Sequence, residues 1–202
     1  MIAVVDYGVG NLFSLTSSLK AVGAQTVVTD NPDLIRAADK ILLPGVGAFE
    51  DAKRKLSDRG LDKVIIEEVN KGKKILGICL GMQMLFERSF EYGEHEGLGL
   101  LRGDVVAMEG RLPKHLKIPH IGWNALHIKK SHPIFKYIKD NDYVYFVHSY
   151  YAANCEESLL ASCEYGEELT AAVALGNISG TQFHPEKSGE VGLSILKAFA
   201  EW

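Results

Sequence analysis

Gly77-Ile78-Cys79-Leu80-Gly81 sets a cysteine between two glycines, where an apolar run over residues 74–79 gives way to helical spacing. This is the spacing of a nucleophile elbow, with sulfur in place of the serine oxygen. A nucleophile on so tight a strand-to-helix turn is forced into strained backbone angles, and bulk two residues away on either side would collide. The helix that follows points its first amides at the sulfur and favours thiolate over thiol. Cys155 and Cys163 have no such surroundings and read as small buried apolar residues.

A thiolate that attacks a carbonyl needs a partner to hold a proton and deliver it to the leaving group. Of seven histidines, His184 stands out in Gly180-Thr181-Gln182-Phe183-His184-Pro185-Glu186, because it follows an apolar run and precedes a carboxylate by two residues. On extended backbone, residues i and i+2 project to one side, and Pro185 is expected to keep the segment extended. Glu186 is then expected to reach one imidazole nitrogen and leave the other facing the sulfur. His148, in Tyr145-Phe146-Val147-His148-Ser149-Tyr150-Tyr151, has no nearby acid, and its strand reads as a wall of the pocket. Pro44-Gly45-Val46-Gly47 follows another apolar run and can turn amides inward without a Cβ clash. With the amide of Leu80 it forms a candidate oxyanion site.

The elements that must position these groups follow from the hydrophobic spacing. In the first half, residues 2–6, Thr26–Thr29, Lys40–Leu43 and 74–79 read as strands, with helical spacing over 12–22, Leu61–Asn70 and 82–87. Strand and helix in alternation imply right-handed βαβ units around a parallel sheet covered on both faces, a three-layer, flavodoxin-like α/β fold. The carboxyl edge of such a sheet is where ligands bind. Residues 104–108, 125–129, 143–149, 159–165, 171–175 and 178–183 are strand-like, several separated only by turn residues. They are expected to extend the same sheet in antiparallel or mixed fashion, within one domain over 1–202. A helix over 191–202 ends the chain, and the glycine- and charge-rich segment 91–99 is expected to be a mobile loop.

Composition narrows the setting. A formal charge of −4 gives no basic excess for nucleic acid, and no apolar run is long enough to cross a membrane. The first residues read as a strand, not as a signal peptide. Three cysteines without metal-type clustering speak against a disulfide framework or metal site, so a cytoplasmic location and no cofactor are expected.

Taken together, Pro44-Gly45-Val46-Gly47, Gly77-Ile-Cys-Leu-Gly-Met-Gln83, His148-Ser-Tyr150 and Phe183-His-Pro-Glu186 resemble the class I (triad) glutamine amidotransferases, in that family's order and over almost the whole chain. The resemblance implies a γ-glutamyl thioester on cysteine, release of ammonia, and hydrolysis to glutamate. By position it implies Cys79, His184 and Glu186 as the triad, and Gly45, Val46, Gly47 and Leu80 around the oxyanion. Gln83, Ser149 and Tyr150 match positions that hold the amino-acid end of L-glutamine, and Glu91 an acid contacting its ammonium.

Three further stretches, Asp6-Tyr-Gly-Val-Gly-Asn-Leu12, Pro119-His-Ile-Gly-Trp-Asn124 and Glu186-Lys-Ser188, look like the glutaminase subunits of imidazole glycerol phosphate synthase. That family acts in histidine synthesis, making imidazole glycerol phosphate and an aminoimidazole carboxamide ribotide. Its partner is a (β/α)8 barrel subunit that consumes the ammonia. By this likeness Asn11, Trp123, Asn124, Tyr145 and Lys187 line or flank a docking face for a heterodimer; ordinary core packing is the other reading of Trp123 and Tyr145. Two other functions fit less of the sequence: the glutaminase subunit of a chorismate-using synthase, and a catalytically silent α/β domain that regulates a partner.

Overall fold

The computed structural model describes all 202 residues. The first half runs β1 (Ile2–Val5), α1 (Leu12–Ala21), β2 (Thr26–Thr29), α2 (Pro32–Ala37), β3 (Lys40–Leu43), α3 (Phe49–Asp58), α4 (Leu61–Asn70), β4 (Lys74–Ile78) and α5 (Leu80–Met84). The second half is mostly strand: β5 (Phe86–Ser89), β6 (His95–Glu96), β7 (Leu101–Ala107), β8 (His120–Ala125), β9 (His127–Ile128), β10 (Tyr143–His148) and β11 (Tyr150–Ala153). It closes with β12 (Leu159–Glu164), β13 (Glu168–Leu175), β14 (Ile178–Thr181) and α6 (Gly189–Glu201).

The central sheet has eight strands in the order β2-β1-β3-β4-β14-β13-β12-β9. From β2 to β14 every pairing is parallel, and β13, β12 and β9 continue it antiparallel. The parallel part has the flavodoxin-like order with an antiparallel extension. Alternation along the strands divides the core. Ile2, Val4, Leu42, Leu76 and Ile78 pack with Leu15 and Leu19 of α1 and Ile195, Leu196 and Phe199 of α6. Their sequence neighbours Ala3, Val5, Ile41, Leu43 and Ile75 pack with Ile35 of α2, Leu56 of α3 and Ile65 and Val69 of α4. Each fully buried aliphatic side chain contributes roughly 1.5–3 kcal/mol, so the inner strands are firm supports for the loops at their ends. No helix is long and apolar enough to cross a membrane.

Several local expectations change. The helix expected over 82–87 stops at Met84, and Phe86–Ser89 is a strand. Segment 91–99, expected to be a mobile loop, contains β6 paired to β5. The second half does not all join one sheet: β11-β7-β5-β6 form a four-stranded sheet, and β10 and β8 a two-stranded ribbon. The strand expected over 125–129 shrinks to β9, preceded by β8, and α2 and α3 had no counterpart in the hydrophobic spacing read from sequence. β8 is half-exposed and turns Ile121 and Trp123 outward while burying His120, the reverse of the apolar-in alternation that marks a core strand.

Candidate active site

β4 gives way to α5 at Cys79, whose φ of 53° and ψ of −111° are the strained angles expected of an elbow. The flanking glycines are there for space. A Cβ on Gly81 would lie 1.9 Å from the Leu43 carbonyl oxygen, and one on Gly77 would lie 2.7 Å from the Gly81 carbonyl oxygen. The Cys79 amide donates to the Thr181 carbonyl at 2.7 Å, and the Cys79 carbonyl accepts from the Gln83 amide at 3.1 Å. The elbow is thus wedged between the ends of β3 and β14.

His184 follows β14, the parallel neighbour of β4, and this adjacency brings it beside Cys79. Its Nδ1 lies 2.8 Å from Glu186 Oε1, with both side chains almost fully buried. Burial alone pulls the imidazolium down, but the interactions with Cys79 and Glu186 outweigh it and raise His184 to about 9. The route to this pair differs from the expected one. Pro185 does not keep the chain extended; it opens the 3-10 turn Pro185–Lys187. Its fixed φ and missing N–H suit the first position of a helical turn, and Glu186 reaches the imidazole by curling back. Ser188 holds His184 from behind: its hydroxyl donates to the His184 carbonyl at 2.6 Å and accepts from the Tyr145 amide at 2.9 Å. The His184 amide in turn donates to the Tyr145 carbonyl at 3.0 Å.

A cleft of about 570 Å³ opens over these groups at the carboxyl ends of the strands, lined by Val46, Gly47, Cys79, Leu80, Gln83, Glu91, Ser149, Tyr150 and His184 among others. Gly45 lies beneath it, where a Cβ would come within 2.7 Å of the Gly81 nitrogen. The Leu80 amide donates to the Gly45 carbonyl at 3.3 Å, so the loop itself occupies this candidate oxyanion donor. The buried Tyr7 hydroxyl donates to the Pro44 carbonyl at 2.7 Å and pins the start of that loop. Glu91 Oε2 accepts from the Phe49 amide at 2.7 Å, capping α3 where Ala48 has no side chain able to do so. Burial raises Glu91 above the usual carboxylate range, against that bond and the nearby His95. His148 lines the wall of the cleft, as its strand suggested. Tyr92, Glu109 and Ile118 also line it and escaped the sequence reading, since separate loops bring them there without a local pattern. No group of three or more His, Cys, Asp or Glu side chains is gathered to hold a metal ion.

The ribbon beside the cleft carries most of the other predicted residues. Ile121 and Trp123 on β8 are 59% and 54% exposed, so Trp123 is not a core residue. Trp123 meets Tyr145 edge-on at 6.1 Å, and Lys187 Nζ lies 5.9 Å from the Tyr145 ring centre. Asn124 points away from this cluster, its Nδ2 donating to the Glu164 carbonyl at 2.7 Å. Asn11 sits at the start of α1, which it caps by accepting from the Ser14 amide at 3.3 Å.

Comparison with known proteins bears on the family and the fold. The family model described as glutamine amidotransferase class-I matches residues 3–201. An imidazole glycerol phosphate synthase subunit HisH of Oceanobacillus iheyensis is 50% identical over 202 residues, covering 100% of this chain and 98% of its own. The subunit of the same name from Caldanaerobacter subterraneus subsp. tengcongensis is 52% identical over 202 residues, with the same coverage. A solved structure described as a glutamine amidotransferase superposes with a TM-score of 0.77 at 17% identity, covering 100% of both chains, a likeness of fold. The chain therefore belongs to the class-I glutamine amidotransferase family and, within it, to the HisH subunits of imidazole glycerol phosphate synthase.

Proposed function

We propose that residues 1–202 work as one glutaminase domain, with Cys79 as nucleophile, His184 as base and acid, and Glu186 as the group that orients His184. One observation carries this reading: a strained cysteine at a strand-to-helix elbow stands beside a histidine locked to a buried carboxylate. An imidazolium facing the sulfur favours the thiolate. The thiolate adds to the side-chain carbonyl carbon of L-glutamine, and the carbonyl π electrons move to oxygen. Collapse of this tetrahedral adduct breaks the C–N bond as His184 gives its proton to the departing nitrogen, releasing ammonia and leaving a thioester. His184 then takes a proton from water as the water attacks the thioester, and glutamate leaves as the thiolate returns.

Gln83, Glu91, Ser149 and Tyr150 line the same cleft and hold the amino-acid end of the substrate, with the Glu91 carboxylate for its ammonium. Gly45, Val46, Gly47 and Leu80 surround the oxyanion. With the Leu80 amide engaged by the Gly45 carbonyl, the loop has to turn a peptide before that amide can stabilise negative charge. Gly47, at φ +93°, gives it the conformational freedom to do so.

The relatives are named as subunits of imidazole glycerol phosphate synthase, which supports that synthase, in histidine biosynthesis, as the destination of the ammonia. The acceptor is a (β/α)8 barrel cyclase subunit in a heterodimer, docked on the face carrying Trp123, Tyr145 and Lys187, with Asn11 and Asn124 flanking it. Ammonia released into water would be protonated and lost, so transfer through a closed passage is required. Three free, buried cysteines fit a reducing cytoplasm.

The test is a glutaminase assay on the chain alone, and on its complex with the barrel subunit and that subunit's nucleotide ligand. Turnover is expected to be very low alone and to rise sharply in the liganded complex. Cys79→Ala should abolish glutamine-dependent synthesis while ammonia-dependent synthesis survives. Glutamine use by the Cys79→Ala complex would overturn the assignment, and high, ligand-independent turnover by the isolated chain would overturn the coupling.

A further inference from the structure

Outside the triad, a connected chain of buried polar groups runs from the sulfur into the wall of the cleft. Gln182 is fully buried, and its Nε2 lies 3.7 Å from Cys79 Sγ. Its Oε1 accepts from Gln83 Nε2 at 3.0 Å, and the same Gln83 nitrogen donates to the Tyr150 carbonyl at 3.0 Å. His148 Nδ1 meets that carbonyl at 2.9 Å, and its Nε2 lies 3.2 Å from His120 Nδ1.

The Tyr150 carbonyl sets the direction of every bond in this chain. A carbonyl oxygen has two lone pairs and no proton, so both of its partners must be donors. Gln83 therefore presents its NH2 group, and Gln182 must turn its oxygen toward Gln83. Only the Gln182 NH2 group is then left to face the sulfur. On the other arm, His148 carries its proton on Nδ1, and burial outweighs the bond to Tyr150, drives it down to about 3 and so keeps the ring neutral. Its Nε2 accepts from His120 Nδ1–H. Both arms are satisfied in one arrangement: turning Gln83 would set acceptor against acceptor, and turning Gln182 would set donor against donor.

We propose that Gln182 is a catalytic residue outside the triad, a second donor to Cys79 Sγ whose amide is oriented by the Tyr150 carbonyl through Gln83. The proposal rests on reading Cys79 as the nucleophile. A hydrogen bond to an ionised acceptor is roughly twice as strong as a neutral one, so this donor favours thiolate over thiol and fixes the direction of the sulfur. It complements His184, because an amide has no proton to exchange and donates at every pH the enzyme meets. The sheet supplies the placement: Thr181, beside Gln182, pairs with Ile78, beside Cys79.

The test follows the pH profile of Cys79 alkylation by iodoacetamide in the full chain, read peptide by peptide. In Gln182→Met, which keeps bulk and loses the donor, alkylation of Cys79 at pH 7 should fall about tenfold, with its midpoint moved to higher pH. Gln182→Glu, with a carboxylate that only accepts, should fall further. A merely structural role would instead speed labelling of Cys155 and Cys163 and leave the Cys79 midpoint in place. An unchanged midpoint in either folded variant overturns the proposal. Should neither variant fold, the Gln182 side-chain amide signals of the unsubstituted chain should titrate with the thiol and stop titrating in Cys79→Ala; signals indifferent to that substitution also overturn it. Glutamine hydrolysis surviving Cys79→Ala would instead remove the nucleophile assignment, a separate failure.

Discussion

The proposed nucleophile and its proposed base are held in opposite ways. Cys79 is set by its own neighbourhood: a buried strand, two glycines that allow backbone to touch backbone, and a helix that begins at once. His184 is set from a distance, through the Tyr145 amide and carbonyl and the Ser188 hydroxyl, and thus by β10 of the two-stranded ribbon. That ribbon also carries Trp123 and Tyr145 on its outer face. One half of the site is therefore rigid by local construction. The other is fixed to the surface on which we place the partner, so docking can bear on the base without moving the nucleophile.

Three experiments break or sharpen this contrast. The largest effect is expected at the elbow: Gly81→Ala puts a methyl 1.9 Å from the Leu43 carbonyl oxygen, with backbone on both sides and nothing flexible to yield. It should cost about 3 kcal/mol or more in urea unfolding, with loss of Cys79 reactivity. A loss below about 1 kcal/mol would show that the elbow is not wedged as described.

Next is Ser188→Ala, which leaves the Tyr145 amide and the His184 carbonyl short of a partner. A loss of about 1–3 kcal/mol in stability is expected, together with slower glutamine turnover in the complex. Stability lost with turnover unchanged would mean that β10 does not govern the base.

The third is pH dependence. His120 and His148 are held down by burial, to about 4 and about 3, the His148 value against the bond to Tyr150, so their contribution to stability is present above about 6.5 and lost as pH falls. His184 has the opposite sign: raised to about 9, it contributes fully below about 6.5 and loses that contribution as pH rises through 9. Stability should therefore fall on both sides of neutrality. His148→Asn, which retains an N–H for the Tyr150 carbonyl, should remove about 2 kcal/mol of the change between pH 7 and 5. The same acid limb in variant and parent would refute the buried neutral histidine.

Much of the site was legible because its chemistry is local in sequence. The elbow glycines, the Pro-Gly turn after β3 and the His-x-Glu pair each require particular residues within a few positions, and the parallel order follows from alternating strand and helix. The Glu186 contact was expected on extended backbone and formed through a 3-10 turn, since two residues of spacing do not distinguish those routes. The second half was less legible. Strands β5 and β6 are short and polar, which leaves no apolar alternation to read, and β8 turns its apolar residues outward, so its pattern does not point to a core.

What the sequence by itself determined is which residues are the candidates to react, a cysteine between glycines and a histidine two residues before an acid, and the order of strands that brings them to one edge. Tertiary structure alone decided how they are held and whether the site stands ready. The Gly45 carbonyl on the Leu80 amide, Glu91 capping α3, and Gln182 turned toward the sulfur all depend on atoms tens of residues apart. The physical reason is the hydrogen bond itself. Its donor and acceptor types are written residue by residue, but its geometry exists only where the folded chain brings two of them together.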